Sequence, residues 1–405
     1  MQKKPELLVG VGSFSCAIAA VKNGADAVYF GVKGFNMRDL GTNFKTPELK
    51  KLMIYLHENK VKGYLALNTV VFEEEMKAME KVLSAAKKAK VDAVICSDLG
   101  VLSIAKKLKL EPHISTQASI GNSIALQQYK DLGAKRIVLA RELSLNQIKK
   151  ITANAKKIGV EIEIFVHGAM CIAVSGRCFM SHELFGKSAN KGECLQVCRR
   201  AYFLDGHAPD FEKKELEIRG STILSPKDMK TIEFLDKIIA SGVASLKIEG
   251  RTKPSDYVSV TTKCYREAID SVANKTFSKK KIELWNEELS KSYNRGFSTG
   301  FFLRKPDGND LTDKQGSKQT QRKIMIGIVK KYYVNVGVAE VKLIENISIG
   351  RKIVFEGATT FLEQELTSMQ INHKEIKEAK KDRLVGIKVS ERVRENDKVF
   401  VLEAK

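Results

Sequence analysis

The chain has 405 residues, 43% of them apolar, and a formal net charge of +21 from 69 basic and 48 acidic side chains. That length exceeds one ordinary core and suits a barrel of ~250 residues plus a smaller module, while no run reaches the ~20 apolar residues of a membrane-spanning helix. The charge excess points to a polyanionic partner, nucleic acid foremost, with a lysine-rich solvated surface as the plain alternative.

The opening residues MQKKPELLVG pass from lysines straight into a strand-like segment, without the long apolar stretch and cleavage site of a secretory leader. A cytoplasmic location with no membrane partner is therefore expected, and there clustered cysteines serve as ligands or redox groups rather than disulfides. Strands are predicted at Leu7–Val11, Ala27–Val32, Gly63–Asn68, Ala93–Ser97, His113–Gln117, Ile137–Ala140, Glu161–Val166 and Ser245–Glu249, with helical stretches such as Pro47–Lys60 and Glu73–Lys90 between them. This alternation predicts a parallel sheet with crossover helices, and its length favours a (β/α)8 TIM-like barrel over a doubly wound sheet. Thr222–Ser225, followed by the helix-like Lys227–Ser241, is a ninth strand candidate, one more than the barrel takes.

Residues 171–221 break the alternation and read as an insertion after the seventh strand. Residues 252–300 read as a helical extension that closes a first domain near residue 304, and 305–322 as a polar linker or surface excursion. The alternating runs Ile324–Val329, Tyr332–Val338, Lys352–Phe355, Val385–Val389 and Lys398–Leu402 predict a small antiparallel β-barrel over 323–405.

The insertion carries Cys171, Cys178, Cys194 and Cys198, spaced C-x6-C-x15-C-x3-C. Zinc ribbons favour two close C-x2-C pairs, and here only the second pair is close. The wider first pair fits a larger body, an iron–sulfur cluster, with zinc or unliganded buried thiols as the alternatives. Arg177, Arg199 and Arg200 could offset the charge of thiolate-bound iron, whereas Cys16, Cys96 and Cys264 sit in apolar or helical contexts as ordinary thiols. At the predicted strand ends stand Asn68, Asp98, Gln117, Arg141 with Glu142, His167, and Lys247 with Glu249 and Arg251. The loop after the second strand adds Arg38 and Asn43. Barrel chemistry collects at such ends, and arginines fork onto carboxylates, so Arg38, Arg141 and Arg251 are candidate clamps for an acidic small molecule.

Hydrolase signatures are weak. His182-Glu183 begins an H-E-x-x-H pattern that Gly186 ends, and Gly296-Phe297-Ser298-Thr299-Gly300 lacks the strand–elbow–helix setting of a nucleophilic serine. Gly10-x-Gly12 lacks the third glycine of a dinucleotide site, although the Ser13–Ser15 turn could take an anion at a helix start.

The stretch Glu163-Ile-Phe-Val-His-Gly-Ala-Met-Cys171-Ile-Ala-Val-Ser-Gly-Arg-Cys178-Phe-Met-Ser181 resembles the signature of the collagenase-like peptidase family of unassigned catalytic type, whose bacterial members include tRNA and ribosomal-RNA hydroxylation proteins. ELLVGVGSFSCAIAAVKNGADAVYFG, STQAS, VLARELSL, SLKIEGR and YNRGFSTGFF extend the likeness over roughly residues 5–302, and GVGS departs from the family's usual P-A-G. The resemblance implies a barrel with a 4Fe–4S cluster held by Cys171, Cys178, Cys194 and Cys198, and an oxygen-independent hydroxylation using prephenate. Length and the C-terminal module are most similar to the branch that makes 5-hydroxyuridine at the tRNA wobble position. The leading expectation is thus a tRNA hydroxylase with prephenate bound by arginines, His167 moving a proton, Gln117, Asn43, Lys247 and Glu249 lining the pocket, and an electron donor or partner subunit left open. A collagenase-like peptidase, a ribosomal-RNA hydroxylase and a non-catalytic RNA-binding scaffold with structural zinc are the alternatives.

Overall fold

The computed structural model describes residues 4–202, 224–313 and 315–405. Strands β1 (Glu6–Gly10), β2 (Ala27–Gly31), β3 (Lys62–Leu67), β4 (Ala93–Cys96), β5 (Glu111–Ile114), β6 (Arg136–Val138) and β7 (Glu161–Gly168) run parallel in chain order. The short β8 (Asp228–Lys230) follows, then β9 (Ser245–Ile248). Strand β9 pairs in parallel with both β1 and β7, which closes an eight-stranded ring. All eight expected strands are in it.

The ring is complete without the ninth candidate. Thr222 and Ile223 lie outside the described residues, and the chain beyond Ser225 enters β8, which pairs antiparallel to β7 on its outer side and in parallel with β10 (Phe297–Ser298). The helix expected over Lys227–Ser241 shrinks accordingly to Leu235–Ala240.

Strand side chains alternate between two environments. Leu7 and Val9 join the large core between sheet and helices, whereas Leu8 packs with Ala27, Tyr29, Tyr64, Ala66, Ala93 and Ile95 in a separate cluster. Burial on both faces is why these strands read as unbroken apolar runs; each such side chain contributes ~1.5–3 kcal/mol.

The C-terminal residues form an eight-stranded antiparallel sheet around a second core that includes Val329, Val341, Phe355, Val385 and Val399. Its first strands, β11 (Gln321–Tyr333) and β12 (Val338–Leu343), form a hairpin. The strand expected over Tyr332–Val338 instead spans the turn: Tyr332 and Tyr333 end β11, residues 334–337 reverse the chain, and Val338 opens β12. Valines at 334 and 336 mimic strand alternation, but Gly337, at φ +61°, lets the backbone reverse. The stretch expected as a linker lies against the barrel: Lys227 N–H donates to Asp310, Thr312 N–H to Ser225 and Lys318 N–H to Asn294, each 2.7 Å to the carbonyl. Lys22 with Glu391 (2.6 Å) and Lys323 with Asp256 (3.4 Å) tie the sheet to the barrel. Among the described residues no helix is long and apolar enough to cross a membrane.

Candidate active site at the barrel mouth

Where the parallel strands end, backbone groups run out of ladder partners and polar side chains take over. Arg38 follows β2, Arg141 follows β6, and Glu249 and Arg251 follow β9; together with Asn68, Gln117 and Lys247 they line a pocket of about 30 Å3. Glu249 accepts from Arg38 Nη2 at 3.1 Å and lies 4.0 Å from Arg141 Nη2. Arg251 Nη2 donates to Asn36 and, at 2.7 Å, to Asn43 Oδ1. Room for this guanidinium comes from Gly31, where a Cβ would collide with Arg251 Nη2. Arg141 stacks on Phe165, 3.8 Å from guanidinium to ring centre, and donates to the Ala169 carbonyl at 2.8 Å. Deeper in the barrel Lys247 is matched by Glu163 at 2.7 Å.

Burial raises the pKa of Glu249, but Arg38, Arg141 and Arg251 more than offset it and hold the carboxyl below its ordinary range. Burial also lowers Arg251, to about 10. Once Lys247 is assigned to Glu163, three guanidinium groups face the single Glu249 carboxylate. Glu249 Oε1, Arg141 Nε and Arg251 Nε are buried without a hydrogen-bond partner. The two unanswered Nε–H groups and the excess of guanidinium over carboxylate give this pocket the donors and the charge to take an anion.

Above it, sharing Met37, Arg38, Thr116, Gln117 and Arg141, opens a cleft of about 130 Å3 lined by Cys171, Cys178, Cys194 and Cys198. The insertion therefore brings all four expected thiols to one place, directly over the anion pocket. Backbone N–H groups of Met180 and Gln196 donate to the sulfurs of Cys178 and Cys194 at 3.4 Å. Burial raises the Cys198 thiol, Arg199 opposes the rise, and the other three thiols add to it, so the four sulfurs feel one another. Among the described residues no three His, Cys, Asp or Glu groups are arranged to hold a metal ion. Four thiols around one cleft fit a polynuclear iron–sulfur body, in which each would hold a separate iron, whereas a single zinc would need all four sulfurs within ~2.3 Å of one point.

The cysteine loops are anchored to the barrel. Gly192, at φ +86°, presses against the Asn36 carbonyl so closely that a Cβ would clash, and its own carbonyl accepts from Asp39 N–H at 3.0 Å. Gln117 Nε2 donates to Ser175 O at 3.2 Å, while its Oε1 accepts from Asn68 at 3.0 Å and from Ser115. Gln196, between two cysteines, accepts at 3.1 Å from Arg295, which is paired in turn with buried Asp228 at 3.2 Å. Arg199 reaches Met170 O, Pro226 O and, at 3.1 Å, Ser225 Oγ. Arg177 donates to Gln117 O and Arg200 stacks on Phe185, so the flanking arginines brace backbone and ring.

Two expectations need correction. Asp98 caps a helix, accepting from Val101 N–H at 3.0 Å. His167 does not line the cleft or the anion pocket. A bulge between Phe165 and His167 inserts an extra residue against β9 and re-aims the imidazole into a nest of Tyr257, Tyr265 and Phe297. There burial, with Lys230 and Lys253 adding, pulls its pKa down to about 3, so the imidazole is neutral near pH 7. Asn36, Gly31, Gln196 and Arg295 went unnoticed as site residues; the YNRGFSTGFF motif holding Arg295 was the available signal.

Residues 12–312 match peptidase family U32. The chain belongs to that family. U32 relatives include a Methanocaldococcus jannaschii protein named as an uncharacterized protease, 45% identical over 98% of both chains. A protein of Porphyromonas gingivalis named collagenase is 38% identical over 98% of this chain and 97% of its own. The Bacillus subtilis tRNA hydroxylation protein P1 is 35% identical over 82% of this chain and 78% of its own.

Proposed function

We propose that this U32 protein is an RNA-modifying hydroxylase that makes 5-hydroxyuridine in tRNA, with a 4Fe–4S cluster on Cys171, Cys178, Cys194 and Cys198 and with prephenate as co-substrate. The observation that carries the reading is the stacking of a four-thiol cleft on an arginine pocket. The name of the B. subtilis relative supports the RNA, and the net charge of +21 suits a phosphate backbone.

Turning a pyrimidine C5–H into C5–OH, with oxygen counted from water, removes an electron pair from the ring, and no side chain in the cleft can accept it. An iron–sulfur cluster, when bound, would take these electrons one at a time and pass them to an external one-electron acceptor protein, or would supply a Lewis-acid iron. The chain's own residues do the rest. Arg38, Arg141 and Arg251 take the two carboxylates of prephenate, satisfying donors now left unpaired. Glu249 keeps the guanidinium groups in place, Gln117 and Asn68 fix the floor, and Met37, Met170 and Val197 limit water beside the thiols. The test is mass spectrometry of tRNA nucleosides from a deletion strain. Loss of 5-hydroxyuridine derivatives, restored by the intact gene, is expected; unchanged levels in a strain without a redundant enzyme would overturn the reading.

A peptidase is the second reading, favoured by the names of two relatives that match nearly end to end. The site gives it little support. Ser298 Oγ accepts from Gly300 N–H at 3.3 Å, and among the described residues no serine or cysteine side chain is hydrogen-bonded to a histidine. Gelatin cleavage abolished by substituting one defined nucleophile would establish it.

A further inference from the structure

The rim of the cysteine cleft is apolar on its solvent side, which is unusual in so basic a chain. Phe179 is 74% exposed although it stands between Cys178 and Met180, both of which line the cleft. Exposed Leu40 and Ile172 line the same cleft, and Val174 is exposed beside them in sequence. A freely exposed phenylalanine costs solubility and gains nothing for the fold, so such a patch marks a surface that is covered in use.

What covers it is indicated by the charge around it. Residues 171–202 carry five basic side chains, Arg177, Lys187, Lys191, Arg199 and Arg200, against Glu183 and Glu193. Lys187 is paired with Glu193, Lys191 with Glu75, and Arg199 is spent on Met170, Pro226 and Ser225. Arg177 and Arg200 have no carboxylate partner among the described residues; both are exposed, and Arg200 already lies flat on Phe185, 4.7 Å from its ring centre. Along this segment aromatic rings alternate in sequence with guanidinium groups that lack a carboxylate partner, Arg177 holding only the Gln117 carbonyl, and such a composition takes unpaired nucleotides: bases stack on the rings, and phosphates meet the arginines.

We infer that Phe179, with Arg177 and Arg200, is a stacking platform that holds the unpaired nucleotide of the RNA substrate at the mouth of the cysteine cleft. This rests on the RNA reading above and adds the residues that would present the base. An extruded base laid on Phe179 has its edge directed toward the cleft instead of a helical stack, which a reaction at a ring carbon requires.

The experiment measures fluorescence anisotropy of a labelled single-stranded oligouridylate of about ten nucleotides with the full chain purified anaerobically, and with Phe179→Ala, Phe179→Trp and the Arg177→Ala/Arg200→Ala double variant. Phe179→Ala should raise Kd by roughly 5- to 100-fold, Phe179→Trp should restore it, and the arginine variant should weaken binding and flatten its salt dependence. Thermal midpoint and iron content of the two Phe179 variants should stay at wild-type values, which separates lost stacking from misfolding. Wild-type and Phe179→Ala proteins binding equally would overturn the platform while leaving the hydroxylase reading standing; wild-type protein binding no RNA would sink both. A change in mass by light scattering in Phe179→Ala, with RNA affinity intact, would assign the patch to a second copy of the chain and also overturn it.

Discussion

The barrel buries charge at both ends, and the two ends treat it differently. At the base, Arg136 is gripped by Glu6, Glu161 and Glu163, Glu163 also takes Lys247, and Tyr64 donates to Glu6 at 2.8 Å. No charged atom of that network is left without a partner. At the mouth, Glu249 Oε1, Arg141 Nε and Arg251 Nε are buried with nothing to bond. An unanswered buried polar atom costs ~1–3 kcal/mol. The base thus reads as stability, while the mouth keeps polar atoms that the proposed function assigns to a ligand.

The comparison can be broken most sharply with Cys194→Ser. Cys194 is exposed, so its loss should cost the fold little while abolishing iron retention and RNA hydroxylation altogether, read by iron analysis and nucleoside mass spectrometry. Arg136→Met should do the opposite. It strands Glu6 and Glu163 in the barrel and should lower stability to urea by ~3–5 kcal/mol, leaving prephenate affinity in the folded protein unchanged. Arg141→Ala should weaken prephenate by roughly 10- to 100-fold in calorimetry, with stability within ~1 kcal/mol of wild type. A large stability loss there, or unchanged affinity, would erase the distinction between the two ends.

His167 gives the smallest effect and a pH signature. Burial lowers its pKa from 6.5 to about 3, so the unfolded chain binds the proton first as pH falls. Its contribution is complete above about pH 6.5 and is lost as pH falls from there toward 3. His167→Gln should therefore flatten the acid side of the stability profile by up to ~1.4 kcal/mol per pH unit and leave the pH dependence of hydroxylation between pH 6.5 and 8 untouched. A shifted activity profile would return His167 to the proton-transfer role.

Sequence and structure agree where physics is local. Runs such as Leu7–Val11 and Ala93–Ser97 announce parallel strands because both faces are buried, and four clustered cysteines announce a shared site because few residues separate them. Agreement fails where a single backbone event redirects a side chain. The bulge that turns His167 away leaves no mark in EIFVHG, and Gly337 ends a valine alternation that otherwise reads as strand. Long-range partners were equally hidden: Arg38 and Glu249 are 211 residues apart, and Gln196 and Arg295 are 99 apart, so only folding reveals those bonds.

The central claim is that the thiol cleft holds an iron–sulfur body above an anion pocket. Iron, zinc and acid-labile sulfide analysis of anaerobically purified protein, with its visible and electron paramagnetic resonance spectra, tests it most directly. About four iron and four sulfide per chain, with a signal that changes when prephenate is added, is the predicted result. One zinc per chain with no sulfide, or a metal-free protein whose four thiols all titrate freely, would contradict it.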